Sequence, residues 1–457
     1  QANGGGWTYN HQPMMAYWNG KFYMHFLSDP AEEHVPPSRT LMQVSEDGYN
    51  WSQPQILFPE YDVPAGFKKA KYQPKPELQY PDVYKQKPLK AIMHQRVGWY
   101  VSKGGILLAT GNYGVALDRK DDPNDGNGIG RVVREVKKDG SLGPIYFIYY
   151  NHGFNEKNTA YPNYKKASKA VRAACEEILA NPRYRMQWVE EADRGDKLIP
   201  LNNGYKAYCD YTLPDGRIVS LWKHALTSLS LDGGNTYTTT NRALGFVNSN
   251  AKIWGQRLTD GSYATVYNPS EYRWPLGISL SGDGLEYKTL NLICGEVPPM
   301  RYGGNYKSRG PQYVRGIQEG NGIPKDSDMW VSYSMNKEDI WVAHVPVPVK
   351  TVATAHADDD FAQYQKLGDL KTWNIYSPLM APVSLRQEWL ELKDEDPFDY
   401  ACVERKIPSS SYLKASFDVQ AAQTRNGSLQ IEFLDEKGIA CTRIELNKEG
   451  MIRVKNG

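Results

Sequence analysis

The sequence predicts an all-β protein: a β-propeller of six or seven blades, seven being favoured, followed by a C-terminal β-sandwich. Three observations predict this fold. Short strands recur in pairs joined by Asp-Gly or Asn-Gly, which accept the positive φ angles of tight hairpins. The hairpins return at a period of roughly 45–50 residues, as in propeller blades of four strands. Near residue 350 a polar stretch interrupts the pattern, and alternating strands resume after it.

Two kinds of turn define the predicted blades. Tight hairpins are centred on Asn19-Gly20, Asp215-Gly216 and Asp260-Gly261. A second turn has the pattern Ser-x-Asp-x-Gly-x-Thr-aromatic, complete at residues 230–237 and shortened at 45–51 and 281–287. This second turn resembles the Asp-box of sialidase-like propellers, which implies that its Asp binds turn amides and its aromatic residue packs between blades. Blade starts are predicted near His11, His94, Tyr205, Lys252 and Gln312.

Two domains are predicted. Residues 1–350 form the propeller, with room for six or seven blades at this period. Within it, Val171, Ala174, Cys175 and Ile178 recur at helical spacing, which predicts a helical insertion over about residues 163–193 that ends at Asn181-Pro182. Residues 351–457 begin with a polar linker and continue as a lectin-like β-sandwich, with strands expected at 413–419, 429–433 and 442–446.

Composition excludes several classes of protein. The 54 Lys and Arg against 52 Asp and Glu leave a net charge of +2, which argues against nucleic-acid binding. The sequence contains no apolar run long enough to span a membrane. The five cysteines have no metal-ligand spacing, and their odd number precludes a complete disulfide framework. No cofactor is required, a structural divalent cation stays an open alternative, and we expect a monomer.

The chain starts at Gln1 without a signal-peptide pattern, as a processed mature protein would. We therefore expect a secreted, periplasmic or cell-surface protein; a trimmed fragment is the alternative. The 32 Tyr and 12 Trp residues suit surfaces on which rings stack against sugars, although strands also favour these residues.

The order of strands within a blade predicts which face carries the chemistry. Strands A to D run antiparallel from the axis outwards, so the start of strand A and the B–C loop share one face. The Asp-box turns mark the opposite face. Reactive side chains map to the first face: His11, His34, His94, Tyr113, Arg131, Lys223, His224, Arg273, Arg301, Lys307, Arg309 and Lys337. So many cationic groups on one face predict an anionic ligand.

Two segments stand out on this face. In His94-Gln95-Arg96 a potential acid/base lies two residues from a guanidinium, so both side chains project from one side of a strand. Residues 306–316 gather cationic and phenolic groups, among them Arg315, before and within a strand. Guanidinium groups bind carboxylates through two parallel hydrogen bonds. The alternative for both segments is packing between blades.

The reactive set also limits the reaction class. The arginine motif that opens a sialidase triad is absent, and no paired carboxylates stand out for ordinary glycoside hydrolysis. Histidine, tyrosine and arginine together fit β-elimination from a uronic acid. A cation then neutralises the carboxylate, a base removes the C5 proton and an acid protonates the leaving O4.

Six segments resemble a known family. They are residues 10–13, 93–96, 128–135, 252–257, 310–316 and 333–341. The chain resembles the Bacteroides-type seven-bladed propellers that act on L-rhamnose-α-1,4-D-glucuronic acid at the ends of arabinogalactan chains such as those of gum arabic. The resemblance implies an acidic plant-type glycan as partner, and either a rhamnosidase with a lone histidine or a lyase with His, Tyr and Arg.

The resemblance leaves the catalytic residues open among His94, His11, His34 and Tyr113. It implies substrate binding by Arg96, Arg131, Lys223, His224, Arg273, Arg301, Lys307, Arg315 and Lys337. Related uronate lyases carry a second histidine about 20 residues after the first, where this chain has Tyr113-Gly114. That departure keeps a third hypothesis open, a glycan-binding propeller that has lost catalysis.

Overall fold

The computed structural model describes residues 6–68, 82–93, 97–121, 123, 128–151, 153–187, 206–350, 353–354, 356–422 and 425–456. These residues separate into two compact units. The first is Gln1–Thr351 with Asp396–Asp399, and the second is Val352–Glu395 with Tyr400–Gly457. The predicted domain limits at 1–350 and 351–457 stay a prediction.

The described residues of the first unit form five antiparallel sheets, each made of strands that follow one another in sequence. The first sheet comprises β1 (Tyr9–Trp18), β2 (Lys21–Asp29), β3 (Arg39–Ser45) and β4 (Gln55–Phe58). The second comprises β5 (Gly98–Val101), β6 (Leu107–Tyr113), β7 (Gly130–Val136) and β8 (Leu142–Tyr150). The third comprises β9 (Cys209–Thr212), β10 (Ile218–Trp222), β11 (Leu226–Ser230) and β12 (Asn241–Arg242). The fourth comprises β13 (Trp254–Arg257), β14 (Tyr263–Tyr267), β15 (Leu276–Ser281) and β16 (Asn291–Cys294). The fifth has three strands, β17 (Pro311–Gly316), β18 (Met329–Met335) and β19 (Asp339–Val345).

This architecture is the predicted all-β propeller. Strand β1 contacts both β5 and β17, and β13 contacts both β9 and β17, so the first strands of the blades surround a common axis. The described residues form five blades, and the prediction of six or seven is not confirmed. The five predicted blade starts each lie within a few residues of a first strand, although His94 and Tyr205 themselves lie outside the described residues. The number of blades in the whole chain therefore stays a prediction.

The turns have the predicted structures. Asn19 and Gly20 both have positive φ, +50° and +78°, between β1 and β2. Each Asp-box connects the third and fourth strands of its blade. In the complete copy, Asp232 accepts hydrogen bonds from the Asn235 and Thr236 amides at 3.1 and 2.9 Å. Together with the Thr236 and Ser230 hydroxyls, these bonds lower the pKa of Asp232 to about 2.

The predicted helical insertion lies between blades 2 and 3. It contains α1 (Lys169–Ala180) and α2 (Pro182–Gln187), separated at Asn181 as expected. The apolar side of α1 packs on the sheet of blade 2, where Cys175 and Ile178 contact the cluster that includes Leu108. Arg183 forms an ion pair with Asp210 on β9. The insertion therefore joins blade 2 to blade 3.

Blade 5 closes the ring against blade 1 without sharing a strand. The Asn10 amide donates to the Lys337 carbonyl at 2.9 Å, and the Tyr17 amide donates to the Asn321 carbonyl at 2.9 Å. Met15 and Ile317 form a parallel bridge between the two inner strands. Closure thus depends on backbone hydrogen bonds between residues about 300 positions apart.

A polar cluster reinforces this seam further from the axis. Asp326, Asp328 and His344 lie close enough to ligate a cation. Their contacts within the protein account for their placement. His344 Nε2 lies 2.8 Å from Asp328, its Nδ1 lies 2.7 Å from the Tyr49 hydroxyl, and its ring stacks on Trp330. We assign the cluster to packing between blades 5 and 1.

The second unit is also a β structure. Its strands are β20 (Trp373–Tyr376), β21 (Val383–Arg386), β22 (Trp389–Leu392), β23 (Cys402–Arg405), β24 (Leu429–Leu434), β25 (Ala440–Leu446) and β26 (Ile452–Asn456). The predicted strands at 429–433 and 442–446 are confirmed within β24 and β25. Residues 413–419 are exposed and have no strand partner in the described structure, so that strand prediction is wrong. Alternation alone cannot supply the neighbour that a strand needs.

None of the five cysteines forms a disulfide. Among the described residues, no helix has the length and apolar character needed to cross a membrane.

Asn321 provides a test of the ring closure. Its side-chain amide donates to the Trp99 carbonyl at 2.9 Å and its Oδ1 accepts from the Val101 amide at 3.0 Å, so one side chain joins blade 5 to blade 2. Because Asn321 is buried, Asn321→Ala should lower the free energy of unfolding by about 1–3 kcal/mol. Asn241→Ala, at an exposed position, is the control for chemical denaturation. Equal stability of the two variants would contradict the proposed role.

Candidate active site

A pocket of about 1310 Å³ opens in the first unit. Its walls come from B–C loops of blades 1, 2, 4 and 5, and from the segments that precede β9, β13 and β17. The lining residues are Glu33, His34, Lys120, Lys206, Asn250, Glu271, Tyr272, Arg273, Trp274, Val297, Pro298, Pro299, Tyr306, Lys307, Ser308, Arg309, Gly310, Tyr313 and Lys337. We call this the cationic pocket, because its lining holds six Lys or Arg side chains against two carboxylates.

The B–C loops share an unusual backbone. His34, His224, Arg273 and Lys337 have φ values of +70°, +65°, +56° and +55° in the loops of blades 1, 3, 4 and 5. Non-glycine residues rarely adopt this left-handed region, and each costs roughly 1–3 kcal/mol unless its surroundings impose it. The conformation recurs in four blades, and three of the four residues line the cationic pocket, so the strained positions are concentrated at the candidate site.

Tyr313 lies on the floor of the pocket because strand β17 is irregular there. A bulge falls between Gln312 and Arg315, and Tyr313 has a φ of +59°. Bulges re-aim side chains next to active sites. Strand β1 has the matching bulge after His11, with Gln12 at +53°. Two adjacent inner strands are therefore distorted at the same level.

Four cations surround the Tyr313 ring. The charged groups of Lys252, Lys223, Arg273 and Lys337 lie 4.6, 5.2, 5.2 and 5.7 Å from its centroid. Lys223 Nζ also donates a hydrogen bond to the Tyr313 hydroxyl at 3.4 Å. Cations within about 6 Å of an aromatic face are attracted to it. The arrangement would also stabilise negative charge that develops on the phenol oxygen.

A carboxylate lies beside this cluster. Glu33 Oε2 accepts a hydrogen bond from Lys337 Nζ at 2.8 Å, and Glu33 Oε1 lies 3.8 Å from His34 Nε2. Behind Glu33, burial and then the Glu33 charge raise the pKa of Asp29 well above its usual range. The same two effects raise the pKa of Tyr9 well above its usual value.

Other charges on this side of the pocket are balanced within the protein. Lys307 Nζ donates to the Thr8 carbonyl at 2.9 Å and lies 3.6 Å from Glu338. Burial lowers the pKa of Lys307, although Glu338 acts in the opposite direction. Arg301 pairs with Asp339 and Glu338 outside the pocket lining. Its predicted contact with substrate is not supported by this position.

The structure brings together part of the predicted set. His34, Arg273, Lys307, Lys337 and Arg309 line the pocket, and Lys223 contacts Tyr313 beneath it. His11 is fully buried; its Nδ1 lies 2.6 Å from the Ser334 hydroxyl and its ring lies 4.3 Å from that of Tyr313. His11 therefore supports the floor of the pocket from below.

Other predicted residues lie elsewhere. Tyr113 is fully buried, donates to the Pro59 carbonyl at 2.8 Å and stacks on Tyr61, so it packs the core. Arg315 donates to the Ile253 carbonyl at 2.7 Å and fixes blade 5 to blade 4. Arg131 is buried on β7 outside the lining, and His224 is an exposed residue outside it. These four residues do not line the cationic pocket, and their predicted roles stay predictions.

His94 and Arg96 lie outside the described residues, and their predicted roles stay predictions.

Sequence reasoning missed several pocket residues. Tyr313 lies in the segment 306–316, which the sequence analysis had selected, but no sequence pattern predicts the bulge that turns its ring inwards. Glu33 directly precedes His34, and an acidic residue next to a loop histidine was the sequence feature that could have identified it as a pocket residue. Lys206 and Lys252 precede inner strands, the position already noted in other blades.

Comparison with known proteins agrees with this architecture. Residues 1–205 match a family model described as BT_1020-like N-terminal beta propeller, and residues 373–457 match a sialidase-like CBM domain. The chain is 67% identical to a solved protein named sialidase, with a TM-score of 0.93 over 99% of this chain. The match covers 41% of that protein's length. No curated protein sequence matches the chain.

More distant structures share less of the fold. A sialidase from Trypanosoma rangeli is 10% identical with a TM-score of 0.40, over 74% of this chain and 55% of its own. A glycosyl hydrolase from Bacteroides ovatus is 10% identical with a TM-score of 0.37, over 74% of this chain and 85% of its own. The match at 67% identity shows that this chain shares the fold of the corresponding part of that protein.

The ion pair between Lys337 and Glu33 makes a measurable contribution to stability. Both side chains are nearly inaccessible, at 3% and 8% exposure. Lys337→Met removes the ammonium group that pairs with the buried Glu33 carboxylate. This change should lower the free energy of unfolding by about 3–5 kcal/mol.

The matched control is Lys21→Met, which removes an exposed pair of similar length, Lys21 with Glu46 at 2.9 Å. That change should cost at most about 1 kcal/mol. Denaturant midpoints and slopes measure both effects. A Lys337 variant as stable as the Lys21 variant would overturn the account.

Proposed function

We propose that this chain is a glycosidase that removes a terminal acidic sugar, with Tyr313 as nucleophile. The position of Tyr313 carries the proposal: its phenol lies on the floor of the cationic pocket, within hydrogen-bonding distance of Lys223. Sialidases are the glycosidases in which a tyrosine replaces the usual carboxylate nucleophile. The 67% identical relative bears that name.

The chemistry of an acidic sugar explains why a phenol is suitable. A carboxylate nucleophile would repel a sugar that carries its own carboxylate near the reacting carbon. A phenol is neutral until its proton is removed, and the surrounding lysines stabilise the charge that its oxygen then carries. In this reaction the phenolic proton passes to Glu33, and the Tyr313 oxygen bonds to the anomeric carbon as the glycosidic bond breaks. The leaving oxygen takes the proton from Glu33, and a water molecule then attacks the anomeric carbon, breaks its bond to Tyr313 and returns a proton to the phenol.

The remaining pocket residues supply proton transfer and binding. Glu33 is the carboxylate that lines the pocket beside Lys337, and we assign proton transfer to it. Arg273 and the lining lysines bind the acid group of the sugar. Of the six cations in the lining, Lys337 and Lys307 are paired with Glu33 and Glu338, and the other four leave the pocket suited to a negatively charged sugar.

The second candidate substrate is the one that the family resemblance predicts. Rhamnose-α-1,4-glucuronate also carries a carboxylate that the cationic pocket could bind. His34 lines the pocket next to Glu33, so a histidine is available for either hydrolysis or elimination. This second candidate thus shares the anion-binding residues with the first and differs in the bond that is broken. For either substrate we propose an extracellular or periplasmic location.

Substitution of Tyr313 tests catalysis. Tyr313→Phe should lower kcat by on the order of 10³ or more while KM stays within a few-fold, because the ring remains and the nucleophilic oxygen is lost. Released sugars are measured after incubation with sialyllactose, glucuronate oligosaccharides and gum arabic. Tyr302→Phe, which lies outside the pocket lining, is the control. Wild-type turnover by Tyr313→Phe would exclude the nucleophile role; binding without turnover by the wild type would support a glycan-binding protein.

The absorbance of the products tests the reaction class. Elimination leaves a 4,5-unsaturated uronate that absorbs in the near ultraviolet, whereas hydrolysis does not. With gum arabic we expect a sugar to be released without a rise in absorbance. The reason is that Tyr313, rather than a pair of histidines, lies at the centre of the pocket. A rise in absorbance that parallels rhamnose release would establish the lyase instead.

A further inference from the structure

Three consecutive residues at the mouth of the cationic pocket point in different directions. Arg273 has a φ of +56°, and its guanidinium donates to Gln312 Oε1 at 2.7 Å and Asn250 Oδ1 at 3.0 Å, towards the floor. Its neighbours Tyr272 and Trp274 also line the pocket, but they are 78% and 46% exposed. The left-handed turn therefore sends the charged group inwards and leaves an aromatic residue on each side at the rim.

The rim is held in place. Trp274 Nε1 donates to the Gly295 carbonyl at 2.7 Å, and the Ser270 hydroxyl donates to the Trp274 carbonyl. Gly310, with a φ of +98°, passes so close that an added Cβ would lie 2.7 Å from the Arg273 carbonyl oxygen. An exposed tryptophan that is fixed in this way loses little side-chain entropy when a ligand stacks on it.

The chemistry of the rim differs from that of the floor. Pro298 and Pro299 line the pocket with Tyr272 and Trp274, and the charged residue next to Tyr272 in the sequence, Glu271, lines it too. Aromatic and proline surfaces suit the apolar face of a sugar ring, while a carboxylate accepts hydrogen bonds from hydroxyl groups and disfavours a second acid. The floor is cationic, whereas the rim is apolar and faintly acidic.

We propose that Tyr272, Trp274 and the two prolines form a subsite for a neutral pyranose sugar linked directly to the acidic terminal sugar. The inference rests on the proposed function, since the acidic sugar must occupy the floor for its neighbour to reach the rim. The subsite is continuous with the cationic pocket through Arg273. The protein then recognises the acidic sugar together with the sugar from which it is cleaved.

The test compares ligands with and without the second sugar. The probes are N-acetylneuraminic acid against 3′-sialyllactose, and glucuronic acid against glucuronosyl-β-1,6-galactose, with dissociation constants measured by calorimetry on the Tyr313→Phe variant to prevent turnover. Trp274→Ala should weaken the longer ligand by about 3- to 10-fold and leave the monosaccharide unchanged. Trp274→Phe, which keeps a ring, should restore most of the affinity. Leu231→Ala, an exposed apolar residue in an Asp-box turn, is the control.

The outcomes separate the subsite from the proposed function. Equal affinity of the monosaccharide and its longer partner for the protein with Trp274 intact overturns the subsite, as does an equal loss of both ligands in Trp274→Ala. If neither acidic monosaccharide binds, the acid-binding floor is refuted and the rim proposal falls with it. Selective loss of the longer ligand supports the subsite even if turnover proves to be elimination.

Discussion

Closure of the ring between blades 1 and 5 is the constraint on which the pocket depends. The hydrogen bond from the Asn10 amide to the Lys337 carbonyl fixes strand β1 beside the B–C loop of blade 5. That contact places Lys337 within 2.8 Å of Glu33, which is 304 positions away in the sequence. It also places the His11 ring against Tyr313. Loop-closure entropy grows only slowly with chain length, so the cost of bringing such distant residues together is affordable once every blade is formed.

The strained residues follow from the same geometry. A B–C loop that reverses direction near the axis has little room, and four blades turn there at a non-glycine residue with positive φ. Glycine would relieve the strain but would remove the side chain that points into the pocket. Arg273 and Lys337 are examples. Each is a loop residue with a strained backbone, and each contributes a cation to the surroundings of Tyr313. The stability of the blades maintains this strain.

Local patterns predicted the parts of the structure that local interactions determine. The tight hairpins, the Asp-boxes and the end of α1 at Asn181-Pro182 depend on residues a few positions apart, and all appear as expected. The number of blades is not set by such local interactions, and the period of the hairpins alone left six and seven blades open. The sequence likewise placed His34, Arg273 and Lys337 on the correct face. It could not distinguish them from Tyr113 or Arg315, because the end of a strand can face the pocket or the next blade, and only the packing of neighbouring blades decides.

The charges around the pocket explain why the sequence shows no paired carboxylates of the kind used in ordinary glycoside hydrolysis. Glu33 and Glu338 each lie beside a buried lysine, at 2.8 and 3.6 Å, and their first effect is to compensate charges that could not otherwise be buried. A carboxylate held in this way is a poor nucleophile, because attack would require it to leave its cation. A pocket that concentrates positive charge for an acidic ligand therefore disfavours a carboxylate as the attacking group and favours a neutral one. In the proposed reaction Tyr313 is that neutral group, and the cations that lie within 6 Å of its ring would stabilise its oxygen once the phenolic proton has left.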